Sequence, residues 1–440
     1  MLEVTTIGII CIALLLVLIF LSVPVGISFI LSGLFSTYLL FGADKSISLL
    51  TGAAYSSIAA PSWTAIPLFI LLGSLAVQSG FANRAYKSAD GLTSGLPGSV
   101  GITTCFGCAG FGAISGASIA ATSVFGKMAL PEMKKMGYSN SFASGIIASA
   151  GTFASMIPPS MMMIIYALFT NTSVAKIFFA GIIPGIMSAV IFSIYIYLKA
   201  KSDKELTQRQ LAQPKLNFKE RVSLLSMAWP ILLVAFIILG GIYTGIFTPT
   251  ESAAVGCILV VIIGYFGGSF RKMSDFSSAL RESANTTSMV FLINIGALYY
   301  GKVLVLSRLP QDITSYLTSL NLSPTLVLIV ICAIFFILGM IMVPIGIFAM
   351  ILPIVMPIIT SLGYDPIWFG IICLKLTEIG AVTPPVGLNV YALKGVVSKE
   401  ITVNTIFKGI WPFVFVDVVI LIILIMFPQI SLWLPNLLFN

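Results

Sequence analysis

The chain has few charged residues and no histidine, and these shortages exclude several classes of protein. Charged residues make up 9% of the 440 positions, while hydrophobic residues make up 58%. Soluble domains carry roughly 25% charged residues. Since a spanning helix needs about 20 apolar residues, this composition predicts an all-α polytopic membrane protein with no separate soluble domain. The N-terminal apolar stretch has no basic flank before it and is interpreted as a retained span.

The absence of histidine also limits metal and catalytic chemistry. Cys105 and Cys108 have CxxC spacing, but no second pair and no histidine complete a zinc site. We interpret the six cysteines as small buried packing residues. An intramembrane enzyme needs a set such as paired aspartates or His–Glu ligands, and a channel needs a continuous polar pore. Neither pattern is visible, so we predict that the protein is not an enzyme.

A repeated break indicates an internal duplication. Pro158-Pro159 and Pro384-Pro385 are 226 residues apart, and the same offset maps Gly137-Tyr138 onto Gly363-Tyr364. A duplicated apolar chain whose matching segments are both interrupted by Gly and Pro is typical of a secondary transporter with its site at the repeat interface.

The duplication predicts two halves, 1–198 and 224–440, joined by a cytoplasmic linker at 199–223. Each half contains two spans, a third span, a surface helix, a re-entrant hairpin, a broken helix and a last span. Five crossings per half make the second half inverted relative to the first. The hairpins are predicted at about 97–131 and 323–358, and the broken helices at about 139–170 and 366–394. The other segments are predicted at about 5–24, 26–42, 61–81, 84–95 and 177–198, then 224–245, 251–268, 286–304, 308–320 and 408–427.

Basic residues favour one orientation, with both termini in the periplasm. This orientation places 18 of the 23 Lys and Arg residues in the cytoplasm, as the positive-inside rule requires. We interpret the linker from Lys199 to Glu220 as a solvated connector, with a regulatory contact as the alternative. The cytoplasmic set is Arg84, Lys87, Lys127, Lys134, Lys135, the seven basic residues from Lys199 to Arg221, Arg271, Lys272, Arg281, Lys394, Lys399 and Lys408.

The first hairpin and the first break offer many oxygen atoms. The hairpin is expected to turn within Gly110 to Ser118. The Pro-Pro pair interrupts the following helix, and its second half is expected to begin at Pro159. Freed carbonyls suit sodium, and helix-start amides suit a carboxylate. Alternatively, the small residues only allow close helix packing. The predicted sodium ligands are Ser115, Gly116, Ser118, Gly151, Thr152, Ser155 and Pro158, and the predicted substrate ligands are Pro159 and Ser160.

The second hairpin and break are poorer in hydroxyls but carry charge. The turn is expected between Gly339 and Gly346. Lys375 and Glu378 share a helix face, which allows an ion pair between them, whereas Asp417 is interpreted as satisfying a neighbouring helix. The predicted sodium ligands are Gly339, Gly346, Glu378, Gly380 and Thr383, and the predicted substrate ligands are Lys375, Pro385 and Asn389.

The charge pattern favours sodium over protons. From Tyr138 through Ala175 there is no Asp, Glu, Lys or Arg. A proton-coupled site usually needs a titratable group, whereas carbonyls and hydroxyls alone hold sodium. We therefore expect Na⁺ as the coupling ion.

These motifs resemble the large membrane (M) subunit of tripartite ATP-independent periplasmic (TRAP) transporters, within the ion-transporter superfamily. The resemblance rests on Ala113–Ser118, Leu130–Tyr138, Ile157–Ser160 and Thr383–Pro385, and it covers essentially the whole chain.

The resemblance implies a sodium-driven importer of an organic acid anion, of C4-dicarboxylate or sialic acid type, in the bacterial inner membrane. It implies an elevator motion and two partners, a small four-helix membrane subunit on a separate chain and a periplasmic binding protein. The alternative is a stand-alone sodium/carboxylate symporter of the same superfamily.

Overall fold

The computed structural model describes residues 3–211, 216–270, 273–320 and 322–439, and the regular elements in these ranges are helices. Lys215, Arg271 and Lys272, which belong to the predicted cytoplasmic set, lie outside the described residues. The prediction of an all-helical membrane protein is confirmed for the described part of the chain.

Eleven helices form the first half. They are α1 (Val4–Phe20), α2 (Val25–Phe41), α3 (Ala43–Ala59), α4 (Ala65–Gln78, after a short 3-10 turn at Pro61–Thr64), α5 (Phe81–Thr93), α6 (Ser99–Ser115), α7 (Ser118–Lys135), α8 (Asn140–Ala150), α9 (Phe153–Met156), α10 (Met161–Thr170) and α11 (Val174–Ser202).

The linker and the second half follow. They contain α12 (Lys204–Leu211), α13 (Phe218–Ser226), α14 (Trp229–Tyr243), α15 (Pro249–Phe266), α16 (Met273–Leu306), α17 (Leu309–Ser319), α18 (Pro324–Gly339), α19 (Pro344–Ser361), α20 (Pro366–Val382), α21 (Leu388–Lys394), α22 (Val403–Met426) and α23 (Gln429–Phe439).

Local sequence explains several helix starts. Thr248 and Glu251 form a reciprocal capping box at the start of α15, which also has proline in its first turn. Asp365 caps α20 by accepting from the backbone amide of Ile367 at 2.7 Å. These short polar positions stop one apolar helix and start the next.

Six of the described helices are long and apolar enough to cross a membrane, or eight if each of two bent pairs counts as one span. Helices α1 and α2 are apolar but only 17 residues long. The order of elements in the second half repeats that of the first, from paired hairpin helices to a broken helix and a long last helix. The relative orientation of the halves stays a prediction.

Four helices were missed by the sequence prediction, namely α3, α23 and the linker helices α12 and α13, and one helix is longer than expected. Helix α3 contains Asp44, Lys45 and several serines, so it lacks the apolar run of a span. Helix α23 follows the predicted last span. Helix α16 begins at Met273 rather than near 286, because its first turns are polar and give no hydropathy signal.

Most described residues of the linker are exposed, and a few contact the first half, so its role as a solvated connector stays a prediction. Leu206 and Gln210 lie four residues apart on α12 and are both buried. Gln210 accepts a hydrogen bond from the backbone amide of Gly98 at the start of α6. Arg221 on α13 donates to the carbonyl of Ser94 at 2.8 Å. These contacts fix the linker to the base of the first hairpin and to α5.

The helices can be divided into two groups, which also contact each other through α16 and α19 and through α4 and α6. In the first, α16 contacts α2, α3 and α4, and α15 contacts α4 and α14. In the second, which contains the hairpins and broken helices, α8 contacts α22, α18 contacts α20, and α6 contacts α7 and α11. Within this group, a Cβ added at Gly145 on α8 would lie 2.2 Å from the carbonyl oxygen of Gly409 on α22. Glycine is therefore required for this approach of the two backbones.

Candidate functional site

The first hairpin turns at two residues only. Helix α6 runs to Ser115, Gly116 adopts a left-handed conformation with φ of 58°, and α7 begins at Ser118. The sequence suggested a turn that begins at Gly110, but Gly110 and Gly112 lie within α6. The glycine is needed at 116, because an L-residue rarely adopts that φ and because an added Cβ would lie 3.0 Å from the carbonyl oxygen of Pro159. The hairpin turn is seated directly on the first break.

The first broken helix has two interruptions. Helix α8 ends at Ala150, the single turn α9 spans Phe153–Met156, and α10 begins at Met161 rather than at Pro159. The reason is the extended backbone of Ser160, with φ of −118° and ψ of 132°. The Pro158-Pro159 peptide bond is cis, and so is Pro384-Pro385.

The interruption at Gly151 faces the second arm of the hairpin. A Cβ at Gly151 would lie 1.9 Å from the hydroxyl of Thr122 and 3.2 Å from the carbonyl oxygen of Ser118. Thr152 is buried and donates to the carbonyl of Ser149 at 2.7 Å. The predicted ligands Ser118, Gly151 and Thr152 therefore belong to one contact region.

The second hairpin is seated on its own break in a similar way. Helix α18 ends at Gly339 and α19 begins at Pro344. A Cβ at Gly380 would lie 2.4 Å from the carbonyl carbon of Gly339, and the amide of Val386 donates to the carbonyl of Met340 at 3.3 Å. Thr383, which directly follows α20, donates to the carbonyl of Ile379 at 2.6 Å.

Gly346 does not share this region. It lies in the first turn of α19, and a Cβ added there would be 3.1 Å from a side-chain methyl of Val25 on α2. The structure therefore places Gly346 against the other helix group. Its predicted role as a sodium ligand has no support from its surroundings.

Glu378 joins the two halves. It lies on α20 of the second half and is 2% exposed, and its carboxyl group lies beside the hydroxyls of Ser118 and Ser155 from the first half. One carboxylate oxygen, Oε2, has no hydrogen-bond partner. Three predicted sodium ligands from both halves thus meet at one point.

Lys375 has a different partner from the one expected. Its ammonium donates to Asp417 on α22, and it also lies 3.3 Å from the hydroxyl of Ser188 on α11. The predicted ion pair between Lys375 and Glu378 is therefore wrong. The Lys375 side chain leaves α20 on the face that meets α11 and α22. The interpretation of Asp417 as satisfying a neighbouring helix is confirmed.

Several buried polar atoms around the two breaks have no hydrogen-bond partner, although such atoms are normally paired. They are the hydroxyls of Ser115, Thr122, Ser149 and Ser160, Oε2 of Glu378, and both amide atoms of Asn389. Sequence reasoning missed Thr122 and Ser149. Thr122 is four residues after Ser118, and Ser149 is three residues before Thr152. Helical spacing from the predicted ligands is therefore the signal that could have identified them.

The two breaks differ in exposure. Pro159 and Ser160 of the first break are buried, and Ser160 is 0% exposed, whereas Pro385 of the second break is exposed. Asn389, at the start of α21, is fully buried. In chemical terms the region offers hydroxyl, carbonyl and carboxylate oxygens, which are hard ligands for a cation, next to a helix start that suits an anion.

Two solved structures show the same fold at low sequence identity. The Alcanivorax borkumensis YdaH transporter superposes with a TM-score of 0.61 at 13% identity, covering 90% of each chain. Neisseria gonorrhoeae MtrF superposes with a TM-score of 0.57 at 15% identity, covering 90% of this chain and 85% of that one. These similarities concern the fold alone.

Sequence comparison identifies the family. The C4-dicarboxylate TRAP transporter large permease DctM of Pseudomonas aeruginosa is 36% identical, over 91% of this chain and 92% of that protein. The ectoine permease TeaC of Halomonas elongata is 32% identical over 96% and 97%, and the sialic acid permease SiaM of Vibrio cholerae is 29% identical over 96% of both. Residues 12–430 match the profile described as "Tripartite ATP-independent periplasmic transporter, DctM component". The chain therefore belongs to this family of multi-pass transporter permeases, whose members are not enzymes.

Proposed function

We propose that this chain is the permease of a sodium-coupled TRAP system that imports an organic acid anion across the bacterial inner membrane. The family match supports the transport class. The names of its relatives support a small carboxylated cargo of C4-dicarboxylate or sialic acid type. Both termini lie in the periplasm in this proposal, as the basic residues of the sequence favour.

The observation that carries the sodium proposal is the position of Glu378. Its carboxylate is buried beside Ser118 and Ser155, with Oε2 unpaired and no basic side chain within 4.0 Å among the described residues. A buried, unpaired carboxylate is costly. A bound cation removes that cost, and the unpaired hydroxyl of Ser115, three residues before Ser118, is proposed as a further ligand.

A second sodium site is proposed at the second hairpin. The backbone of Gly339 packs directly against Gly380, with no room for a side chain between them, and Thr383 follows at the break. Unwound carbonyls at a broken helix coordinate sodium in secondary transporters. Backbone oxygens then supply what the hydroxyl-poor sequence of this hairpin lacks.

The cargo site is proposed at the starts of the two second half-helices. Ser160 precedes α10 and Asn389 lies in the first turn of α21, and both have unpaired polar atoms. Pro159 and Pro385 shape the preceding turns. Lys375 acts indirectly, by holding α20 against α22 through Asp417, in place of the direct contact predicted from sequence.

Transport in this proposal is an elevator motion. The group that contains α6–α11 and α18–α22 moves against the group formed by α1–α4 and α14–α16. Ser160 and Asn389 are fully buried, so cargo reaches them only if these groups or the hairpins move. A separate small membrane subunit and a periplasmic binding protein complete the system.

The test is uptake into liposomes that contain the two membrane subunits, with and without the binding protein. Uptake of succinate and of N-acetylneuraminate is measured against sodium concentration at fixed pH, and then with a proton gradient in the absence of sodium. We expect uptake only with both sodium and the binding protein. Ser115→Ala and Ser118→Ala should each cost about 1–3 kcal/mol in sodium binding, or roughly tenfold to a hundredfold in affinity.

Three results would contradict the proposal. Full uptake driven by a proton gradient without sodium would contradict sodium as the coupling ion. Unchanged sodium affinity in both serine variants would contradict the proposed sodium site at the first hairpin. Equal uptake without the binding protein favours a stand-alone sodium/carboxylate symporter. Ser36→Ala is the matched control, because Ser36 is also buried and unpaired but lies on α2, away from both breaks.

A further inference from the structure

A charged pocket and an apolar groove meet at Trp229, on the outer face of α14. The pocket, with a volume of about 280 Å³, is lined by Arg84, Trp229, Ile262, Ile263, Phe266 and Gly267. The groove, with a volume of about 810 Å³, follows α14 from Trp229 to Tyr243 and is flanked by Phe179 and Leu438. We call these the headgroup pocket and the chain groove. Trp229 lines both.

The headgroup pocket contains a guanidinium without a countercharge. No carboxylate lies within 4.0 Å of Arg84 in residues 3–211, 216–270, 273–320 and 322–439. A Cβ at Gly267 would lie 2.9 Å from an Arg84 nitrogen, so the cation sits at the C-terminal end of α15. That helix end favours a cation, which explains the position of Arg84 but leaves the adjoining pocket open.

The chain groove is long enough to hold an acyl chain. From Trp229 to Tyr243, α14 rises roughly 21 Å at 1.5 Å per residue, while one leaflet of a bilayer core is about 15 Å thick. Leu232, Phe236 and Tyr243 are exposed along this face. Tryptophan is enriched at the level of lipid headgroups, which fits the position of Trp229 between the charged and apolar compartments.

We infer that this surface binds one anionic phospholipid, with its phosphate at Arg84 and an acyl chain along α14. An arginine fork binds phosphate oxygens with two parallel hydrogen bonds. A partner helix fits less well, because an apolar helix offers no anion to the guanidinium. The inference does not depend on the proposed sodium coupling, and its test measures lipid binding without transport.

The test uses the full-length chain in its complex with the small membrane subunit, delipidated in detergent and analysed by native mass spectrometry. Phosphatidylglycerol and phosphatidylcholine are added separately. Arg84→Gln should lower phosphatidylglycerol affinity roughly tenfold, to the level of phosphatidylcholine, since a charge-assisted contact is lost. Lys87→Gln is the matched control, because Lys87 is exposed on the same helix and does not line the pocket.

A second pair of variants tests the chain groove. Gly240 lines the groove, and a Cβ added there meets nothing within 4 Å, so Gly240→Leu starts a bulky side chain in open space within the groove. It should abolish retention of both lipids. Gly52→Leu is its control, since Gly52 is equally open but lies on α3.

Four results would overturn the inference. They are equal affinity for the two lipids, unchanged phosphatidylglycerol affinity in Arg84→Gln, and displacement of the lipid by excess inorganic phosphate, which indicates a free-anion site. The fourth is loss of the small subunit from Gly240→Leu with lipid retention unchanged, which assigns the groove to a protein partner.

Discussion

Lys375 on α20 donates to Asp417 on α22, and the side chains of both residues are 1% exposed. The pair links the helix that carries Glu378 to the last long helix of the second half, and the hydroxyl of Ser188 adds a contact from α11. Phe192 lies on the same side, with its ring 5.9 Å from the ammonium. The position of Glu378 therefore depends on an ion pair one helical turn away.

Asp417→Asn is expected to destabilise the protein by about 3–5 kcal/mol, because it leaves a buried ammonium without its countercharge. The free energy of unfolding is measured by SDS titration in mixed micelles. Lys375→Met combined with Asp417→Leu should recover most of the loss, since two apolar groups replace both charges.

Glu400→Gln is the control for that measurement. Glu400 pairs with Lys134 at 3.8 Å, but its side chain is 81% exposed, so the expected change is below about 1 kcal/mol. A loss of similar size in both variants would show that the Lys375–Asp417 pair has no special role.

Gly380→Ala is expected to separate the second hairpin from its break. The added Cβ would lie 2.4 Å from the backbone of Gly339, and backbone atoms do not rotate away as a side chain does. We expect a destabilisation of about 1–3 kcal/mol and a weaker dependence of uptake on sodium. Gly110→Ala is the control, because its nearest neighbour is Ala85 at 3.9 Å and alanine favours a helix by up to about 1 kcal/mol. Equal stability of the two variants would contradict the close contact.

The sequence predicted the breaks well because proline and glycine act locally. The second break, between α20 and α21, lies at Thr383–Gly387 as the Pro-Pro pair indicates. The extra interruption at Gly151 was not predicted, because it depends on the packing of Gly151 against Thr122. A single glycine in a helix carries no such information by itself.

Partners across the fold were harder to predict than element types. Helical spacing suggested Glu378 for Lys375, but the choice of Asp417 depends on how α20 and α22 pack, which one sequence does not encode visibly. The meeting of Glu378 with Ser118 and Ser155 has the same origin, since it joins residues of different halves. Local motifs therefore located the two breaks, and the structure supplied the contacts between them.

The predicted orientation is tested by cysteine labelling. Asn171 and Lys204 are exposed, and we expect them to lie in the periplasm and the cytoplasm, because the basic bias requires it. Single cysteines are introduced at both positions, and whole cells are treated with an impermeant thiol reagent. Labelling at 171 with none at 204 is expected, and the reverse pattern would invert the topology. The six native cysteines are buried, so they should contribute little background.

Ser160→Ala and Asn389→Ala are expected to separate cargo binding from sodium binding. Each removes unpaired polar atoms from the start of a half-helix, so each should raise the KM for cargo roughly tenfold, equivalent to about 1.4 kcal/mol, with sodium affinity unchanged. Glu378→Gln should instead lower the sodium affinity and leave the KM for cargo at saturating sodium unchanged, because it removes the proposed sodium ligand beside Ser118 and Ser155.

The measurement is uptake by the complete system, with whichever of succinate and N-acetylneuraminate the parent accumulates, over a matrix of cargo and sodium concentrations. If the parent accumulates neither, the proposed cargo class is wrong. If Ser160→Ala or Asn389→Ala changes sodium affinity as much as Glu378→Gln does, the cargo site and the sodium site are not separate. The structure favours two separate effects, because Glu378 lies on the half-helix before the second break and Asn389 on the half-helix after it.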